Sequence, residues 1–412
     1  MLLLPDAAEA LLGAFSVALT HATFHRVLCR ARWSPLFLGR VLATLILERI
    51  PEPQPIVIPV DDTHPQHKGK KIYGKGKHHD ACRSTHRHIV WVWGHPWVVL
   101  AIHVKFSFAT RPWALPVLCA LYRPEELNQS EVRRHKTPIR LAMQRVATLR
   151  HWFPQRKFIL VGDGGYASHP LARFCHRQGK HVTLVSRFHP KANLYTQPSP
   201  RTSKKAGRPR ARGHKLPVPE SLVRNAKRQR ATVNGYGGKK RRVELVSETG
   251  HWYKGGAGLV PVRWVFVHDV DGSHRDEYFY TTDPGMKPDQ IVSLYTGRWS
   301  IEVTFQEVRA QLGFATPRNW CRNSVLRTAP CLLGLFGVVS LIFQRLTRGR
   351  KVKSRQTAWH ARADATFGDA IQSIRRLLWC QTTLKQALFH TVVSKLPARF
   401  LAMLLDELSR PT

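Results

Sequence analysis

Two β-branched apolar runs that stop on aspartate constrain the fold more than any other feature of the chain. IVIPV at residues 56–60 runs into Asp61 and Asp62, and KFILV at 157–161 runs through Gly162 into Asp163. Runs of this length and composition read as strands. IVWVW and WVVLAIHV follow a basic segment at residues 68–88, and residues 124–150 carry helical spacing interrupted by Pro138. Strands followed by a helix and a further strand predict an α/β core. Carboxylates at strand ends of such a sheet stand where ligands and metals are usually met.

The flanks differ from this core. Residues 1–50 show helical apolar spacing and end at PEPQP, which breaks any helix, so they read as a short helical N-terminal region. Residues 51–184 form the first part of the core. A basic, β-rich insertion is expected at 185–287, where residues 201–242 hold 15 Lys or Arg against the single acid Glu220. Its KKAGRPRARGHK segment reads as an exposed basic loop. Strong helical periodicity resumes at LYTGRWSIEVTFQEVRAQLG, giving a second part of the core at 288–345 and a helical C-terminal region at 346–412.

Composition narrows the function. The chain has 412 residues with 65 Lys plus Arg against 26 Asp plus Glu, a formal charge of +39, while 43% hydrophobic residues and 12 Trp argue against disorder. A folded protein this basic is expected to work on a polyanion. The longest apolar run, residues 331–343, is short for a bilayer, so no membrane partner is expected. Residues 1–4 lack a basic segment before them and do not read as a signal peptide. Seven cysteines without a CxxC pair match a reducing compartment.

In so acid-poor a chain the positions of the acids carry information. Tyr295, Arg298, Glu302 and Arg309 are spaced to fall on one stripe of a helix beginning near Leu294, with Ile301, Phe305, Val308 and Leu312 as the neighbouring apolar stripe. Two strand-end aspartates plus a glutamate on a packed helix make an oxygen-only site suited to Mg²⁺ or Mn²⁺. Two such ions about 4 Å apart would suit phosphodiester cleavage.

VDDT, VGDGGYAS and Y-x2-R-x3-E-x6-R resemble, in this order, the three catalytic blocks of DDE transposases with a ribonuclease-H-like core, in particular the cut-and-paste bacterial insertion-sequence group with a Y-R-E-K signature. The resemblance covers roughly residues 56–320. It implies a ribonuclease-H-like mixed sheet flanked by helices, interrupted by the insertion. It implies Asp62 as the first catalytic metal ligand, since the family's aspartate directly precedes Thr, with Asp61 left open; Asp163 and Glu302 follow as second and third. Tyr295, Arg298 and Arg309, which stands where the family has Lys, would contact the DNA end, and an insertion-domain Trp, Trp252 or Trp264, would stack on a flipped base. The resemblance further implies two Mg²⁺ ions, with Mn²⁺ able to substitute, no small-molecule cofactor, double-stranded DNA as element ends and target, a homodimer on DNA, and a nucleoid-associated place in the bacterial cytoplasm.

Plainer readings stand beside these. Asp61, Asp62 and Asp163 also fit turns or caps, and Arg298 with Glu302 fits an i,i+4 ion pair. His78, His79, Cys82, His86 and His88 are too loosely spaced to predict zinc. Arg208 and Arg210 lie in a Gly-Arg-Pro context similar to a minor-groove hook, though a solvated loop touching phosphate accounts for it as well. A non-catalytic DNA-binding protein derived from a transposase and a nuclease for RNA–DNA hybrids are the competing functions.

Overall fold

The computed structural model describes residues 21–80, 83–85, 87–199, 210–348, 364–380 and 396–409. Helices α1 (His21–Cys29) and α2 (Pro35–Leu47) come first. The run at 56–60 lies in β1 (Ile56–Thr63), which extends through both aspartates. A short hairpin, β2 (Gly76–His79) and β3 (Trp91–Gly94), precedes β4 (Trp97–Val104) and β5 (Trp113–Leu121). After α3 (Glu125–Ser130) comes α4 (Pro138–Trp152). Pro138 begins this helix instead of interrupting it: its missing N–H costs nothing in the first turn, and Thr137 caps the end by accepting from the Arg140 N–H at 3.3 Å. β6 (Phe158–Gly162), α5 (His169–Arg177) and β7 (Val182–Arg187) complete the first half.

These strands lie in the order β5-β4-β1-β6-β7. β4 pairs antiparallel with β5 and β1, while β1–β6 and β6–β7 are parallel. The result is the ribonuclease-H-like mixed α/β sheet flanked by helices that the sequence predicts. The β-rich stretch adds β8 (Leu194–Tyr195), α6 (Pro219–Asn225), β9 (Gln229–Asn234), β10 (Lys240–Lys254), β11 (Gly258–Asp269) and β12 (Glu277–Thr281). It continues the core sheet: β12 pairs antiparallel with β7, with Phe279 opposite Arg187, and β11, β10 and β8 follow, with β9 on β10. The start of the insertion read at residue 185 therefore falls within β7.

Helices α7 (Pro288–Gly297), α8 (Ser300–Leu312), α9 (Arg322–Thr347), α10 (Phe367–Leu378) and α11 (Ala398–Leu408) close the described chain. The apolar stripe of α8 is buried as predicted, with Ile301 and Val308 at 0% exposure and Phe305 and Leu312 at 4% and 6%. Each such side chain contributes about 1.5–3 kcal/mol of apolar burial. The helix stops at Gly313, whose φ of +63° an L side chain would oppose. α9 is long and apolar enough to cross a membrane by length and composition, but its Leu332, Leu333 and Phe336 are buried in the core where it packs on β5 and α2. It is the central helix of that layer.

Sheet alternation decides what faces what. Val57, Ile159 and Val161 pack with Ile291, Val292 and Tyr295 of α7. On the opposite face, a β-carbon on Gly162 would meet Tyr166 and Val60, so that face belongs to the turn after β6.

Candidate active site

The parallel register of β1 and β6 pairs Val60 with Gly162. The next residues along, Asp61 and Asp163, thus stand level at the ends of adjacent strands. Alternation puts Asp61 on the face of Val57, and Asp163 on the face of Ile159 and Val161, both toward α7 and α8. Glu302 reaches the same place from the first turn of α8, where the helix N-terminus favours a carboxylate.

Arg298 ties two of these acids together. Its Nη1 donates to Asp61 Oδ2 at 2.5 Å and its Nη2 to Glu302 Oε1 at 2.8 Å. Asp61 also accepts from the Asp62 N–H at 2.8 Å. Asp163 caps the turn that follows β6, accepting from the Gly165 N–H at 2.9 Å, while its backbone carbonyl accepts from Ser186 Oγ at 2.8 Å. The capping function read for Asp163 is therefore real.

The electrostatics follow from burial. Desolvation pushes the Asp61 carboxyl up to about 7, Arg298 pulls the other way, and the charges of Asp163 and Glu302 raise it further. Burial works against the charge on Arg298, yet Asp61 and Glu302 more than offset this and hold its pKa above the ordinary value. Three carboxylates against one guanidinium leave surplus negative charge in a protein of net +39. An oxygen-only donor set with unbalanced negative charge fits a hard divalent cation. Among the described residues no three Asp, Glu, His or Cys side chains converge on one metal position, and Arg298 stands between Asp61 and Glu302.

Asp62, expected as the first ligand, points elsewhere. One residue further along a pleated strand, it lies on the opposite face, where its carboxylate accepts a short hydrogen bond from the Tyr166 hydroxyl. Burial pushes Asp62 up to about 6, with the Tyr166 bond opposing and Asp163 adding to the rise. Asp61 is the aspartate that shares a face with Asp163 and Glu302. The single helical stripe is also corrected. α7 and α8 meet at a joint where the N–H groups of Arg298, Trp299, Ile301 and Glu302 bond to carbonyls three residues back. This tighter winding turns Tyr295 into the core while Glu302 stays at the rim. Tyr295 is 4% exposed, with its ring 4.2 Å from that of Phe279, so it supports the site from beneath and is not placed to touch DNA. Arg298 is likewise buried and committed to carboxylates. Arg309 is exposed in the last turn of α8 and donates to Thr63 Oγ1 at 2.5 Å, at the exit of β1.

The remaining expectations separate cleanly. Trp264 is fully buried and offers no face to a flipped base, while Trp252 is half-buried with its ring edge-on to His169, Phe188 and Tyr280. Arg208 lies outside the described residues; Arg210 is exposed. His78 is buried and His79 exposed on opposite faces of β2, which divides the suspected zinc cluster, and Cys82 and His86 lie outside the described residues. Sequence reading missed Tyr166, whose pairing with Asp62 depends on a turn no spacing rule reveals. It also missed Trp299, 44% exposed at the α7–α8 joint, though GRWS before a helical run marks a break where such a residue surfaces.

A family model for DDE superfamily endonucleases matches residues 7–242, a span that includes Asp61 and Asp163 and stops before Glu302. No curated protein matches. A solved structure, the cryo-EM structure of piggyBac transposase synaptic complex with hairpin DNA, is similar at 12% identity and a TM-score of 0.41. That match covers 87% of this chain and 58% of the other, so the chain spans less than two thirds of that protein's length.

Proposed function

The chain belongs to the DDE superfamily endonucleases, and from that premise we propose that it is a transposase that cuts DNA at the ends of its own mobile element and joins them to target DNA. The observation that carries this reading is the placing of Asp61 and Asp163 at adjacent strand ends, with Glu302 tied to Asp61 through Arg298, in a strongly basic protein. These three side chains would hold the divalent ions, Mg²⁺ or Mn²⁺. Such ions, when bound, would polarise the attacking water or 3′ hydroxyl and stabilise the leaving oxygen.

The chain's own residues do the positioning. The β1–β6 register fixes the two aspartates side by side, and the burial of α8 fixes Glu302 opposite them. Arg298 keeps Asp61 and Glu302 aligned and limits their repulsion. Arg309, bonded to Thr63 at the end of β1, would meet phosphate. Affinity for double-stranded DNA comes from counterion release and falls steeply with salt. A homodimer on DNA, acting in the bacterial cytoplasm, completes the reading, since two element ends must be held together.

A second reading is a non-catalytic DNA-binding relative, favoured by the guanidinium clamped across Asp61 and Glu302. Cleavage of DNA carrying the element's flanking repeats separates the two. Cuts at the repeat ends that need Mg²⁺, disappear in EDTA and are abolished by Glu302→Gln and Asp61→Asn support the enzyme. Salt-sensitive binding without any cleavage in Mg²⁺ or Mn²⁺ supports the second reading.

A further inference from the structure

The hairpin β2–β3 carries a feature that cleavage chemistry does not use. Lys77 and His79 alternate outward on β2, opposite Trp93 and Trp91 on β3. Both tryptophans are 53% exposed, an unusual state for two large apolar rings on one face of a four-residue strand. Each has an ammonium near its ring: Lys75 Nζ lies 5.1 Å from the Trp93 centroid and Lys77 Nζ 5.4 Å from that of Trp91. His79 stands edge-on to Trp91 at 6.0 Å.

The other face of the hairpin is fixed to the body. A β-carbon on Gly94 would come within 2.3 Å of the Pro65 carbonyl, and one on Gly76 within 2.4 Å of Pro124, so only glycine lets the strands sit this close. His78 packs against Tyr122 and His64. His64 directly follows Thr63, the residue that Arg309 contacts, so the rigid hairpin stands beside the exit of the strand that carries Asp61.

We propose that this face is a stacking platform for unpaired bases of single-stranded DNA, with Trp91 and Trp93 taking successive bases and Lys75 and Lys77 the phosphates between them. Interleaved rings and cations on a held surface match that ligand's alternation of flat bases and charged backbone. A duplex hides its base faces and would meet only the lysines. The proposal rests on the reading above only for the polymer, and it places strand-separated DNA next to the carboxylates.

The test is fluorescence anisotropy with labelled oligo(dT) and with a blunt duplex, in EDTA so that no cleavage chemistry enters. Trp91→Ala/Trp93→Ala is expected to weaken oligo(dT) binding by about tenfold or more while duplex binding changes far less. Trp91→Phe/Trp93→Phe, which keeps flat rings in the same fold, should retain most of the affinity. Equal losses on both DNAs, no single-strand binding by the wild-type chain, or dissociation of an oligomer in place of a DNA effect would each overturn the platform. A platform that survives alongside absent Mg²⁺-dependent cleavage would count against the transposase reading alone.

Discussion

Arg298→Met tests the electrostatic account of the site directly. The methionine keeps the apolar stem and removes the charge that neutralises Asp61 and Glu302. The two bonds are unequal. Glu302 is 36% exposed, so its i,i+4 pair contributes no more than about 0.5 kcal/mol. Asp61 is 15% exposed and its partner 9%; its carboxyl already sits at about 7 and loses the charge that opposes burial, so in the variant it takes up a proton and the cost is that of an unsatisfied buried polar group, about 1–3 kcal/mol. Most of the loss therefore comes from Asp61, and urea unfolding should show a lower midpoint with an unchanged slope. The variant also exposes three carboxylates to a cation without competition. Added Mg²⁺ should restore part of the loss, about 2.7 kcal/mol at a hundredfold excess over its dissociation constant, and should stabilise the wild-type chain less. A variant within about 1 kcal/mol of wild type would show that the ion pair does not carry the site. A destabilised variant indifferent to Mg²⁺ would refute the cation site itself.

Two other perturbations probe the surroundings. Tyr166→Phe removes the donor to Asp62 and should cost about 1.5–3 kcal/mol of stability, read by urea unfolding; Mg²⁺-dependent cleavage should persist, whereas a loss as complete as that of Asp61→Asn would return Asp62 to the active site. Burial pushes His78, His95 and His103 down to about 4, so each stays neutral in the fold and charges more readily when unfolded. The unfolded chain therefore binds more protons between pH 4 and the ordinary histidine value of about 6.5. The contribution is fully present above that value and is lost as pH falls toward 4, with a slope near 1.4 kcal/mol per pH unit for each histidine around pH 5. His103→Gln, which keeps a polar partner for Ser300 Oγ, now 2.7 Å from His103 Nε2, should lower the slope of stability against pH around pH 5 by about 1.4 kcal/mol per pH unit; an unchanged slope would show that His103 is not buried neutral.

The core was legible because its signals are local and redundant. IVIPV and FILV are β-branched and end on acids, and residues 301–312 keep their apolar spacing at the period of a helix, so the sheet, the strand-end acids and the buried stripe of α8 were all readable. What failed to show depends on more than one segment. Pro138 reads as a break in isolation and as a helix start once Thr137 is seen to cap it. Trp264 shares a composition with exposed stacking residues, and only the continuation of the sheet through β12 shows that it is enclosed. Trp91 and Trp93 gave no sign of exposure, since IVWVW looks like any core strand until the glycines pin the opposite face.

The choice between Asp61 and Asp62 shows where sequence reading ends in physical terms. Adjacent residues on a strand face opposite ways, so a one-position error moves a side chain across the whole sheet. The residues around the pair do not say which face holds the helix with the glutamate. That is set by how β1 registers on β6 and by the three-residue winding at the α7–α8 joint, which turns Arg298 inward to reach Asp61. The same winding moves Tyr295 and Arg298 from a DNA-facing stripe into the support of the site. A motif of four spaced residues is therefore better understood as two surface groups, Glu302 and Arg309, held in place by two buried ones. On that account, Arg298 bears on the site through the two carboxylates it bonds, and Tyr295 through its packing beneath Arg298 and against Phe279.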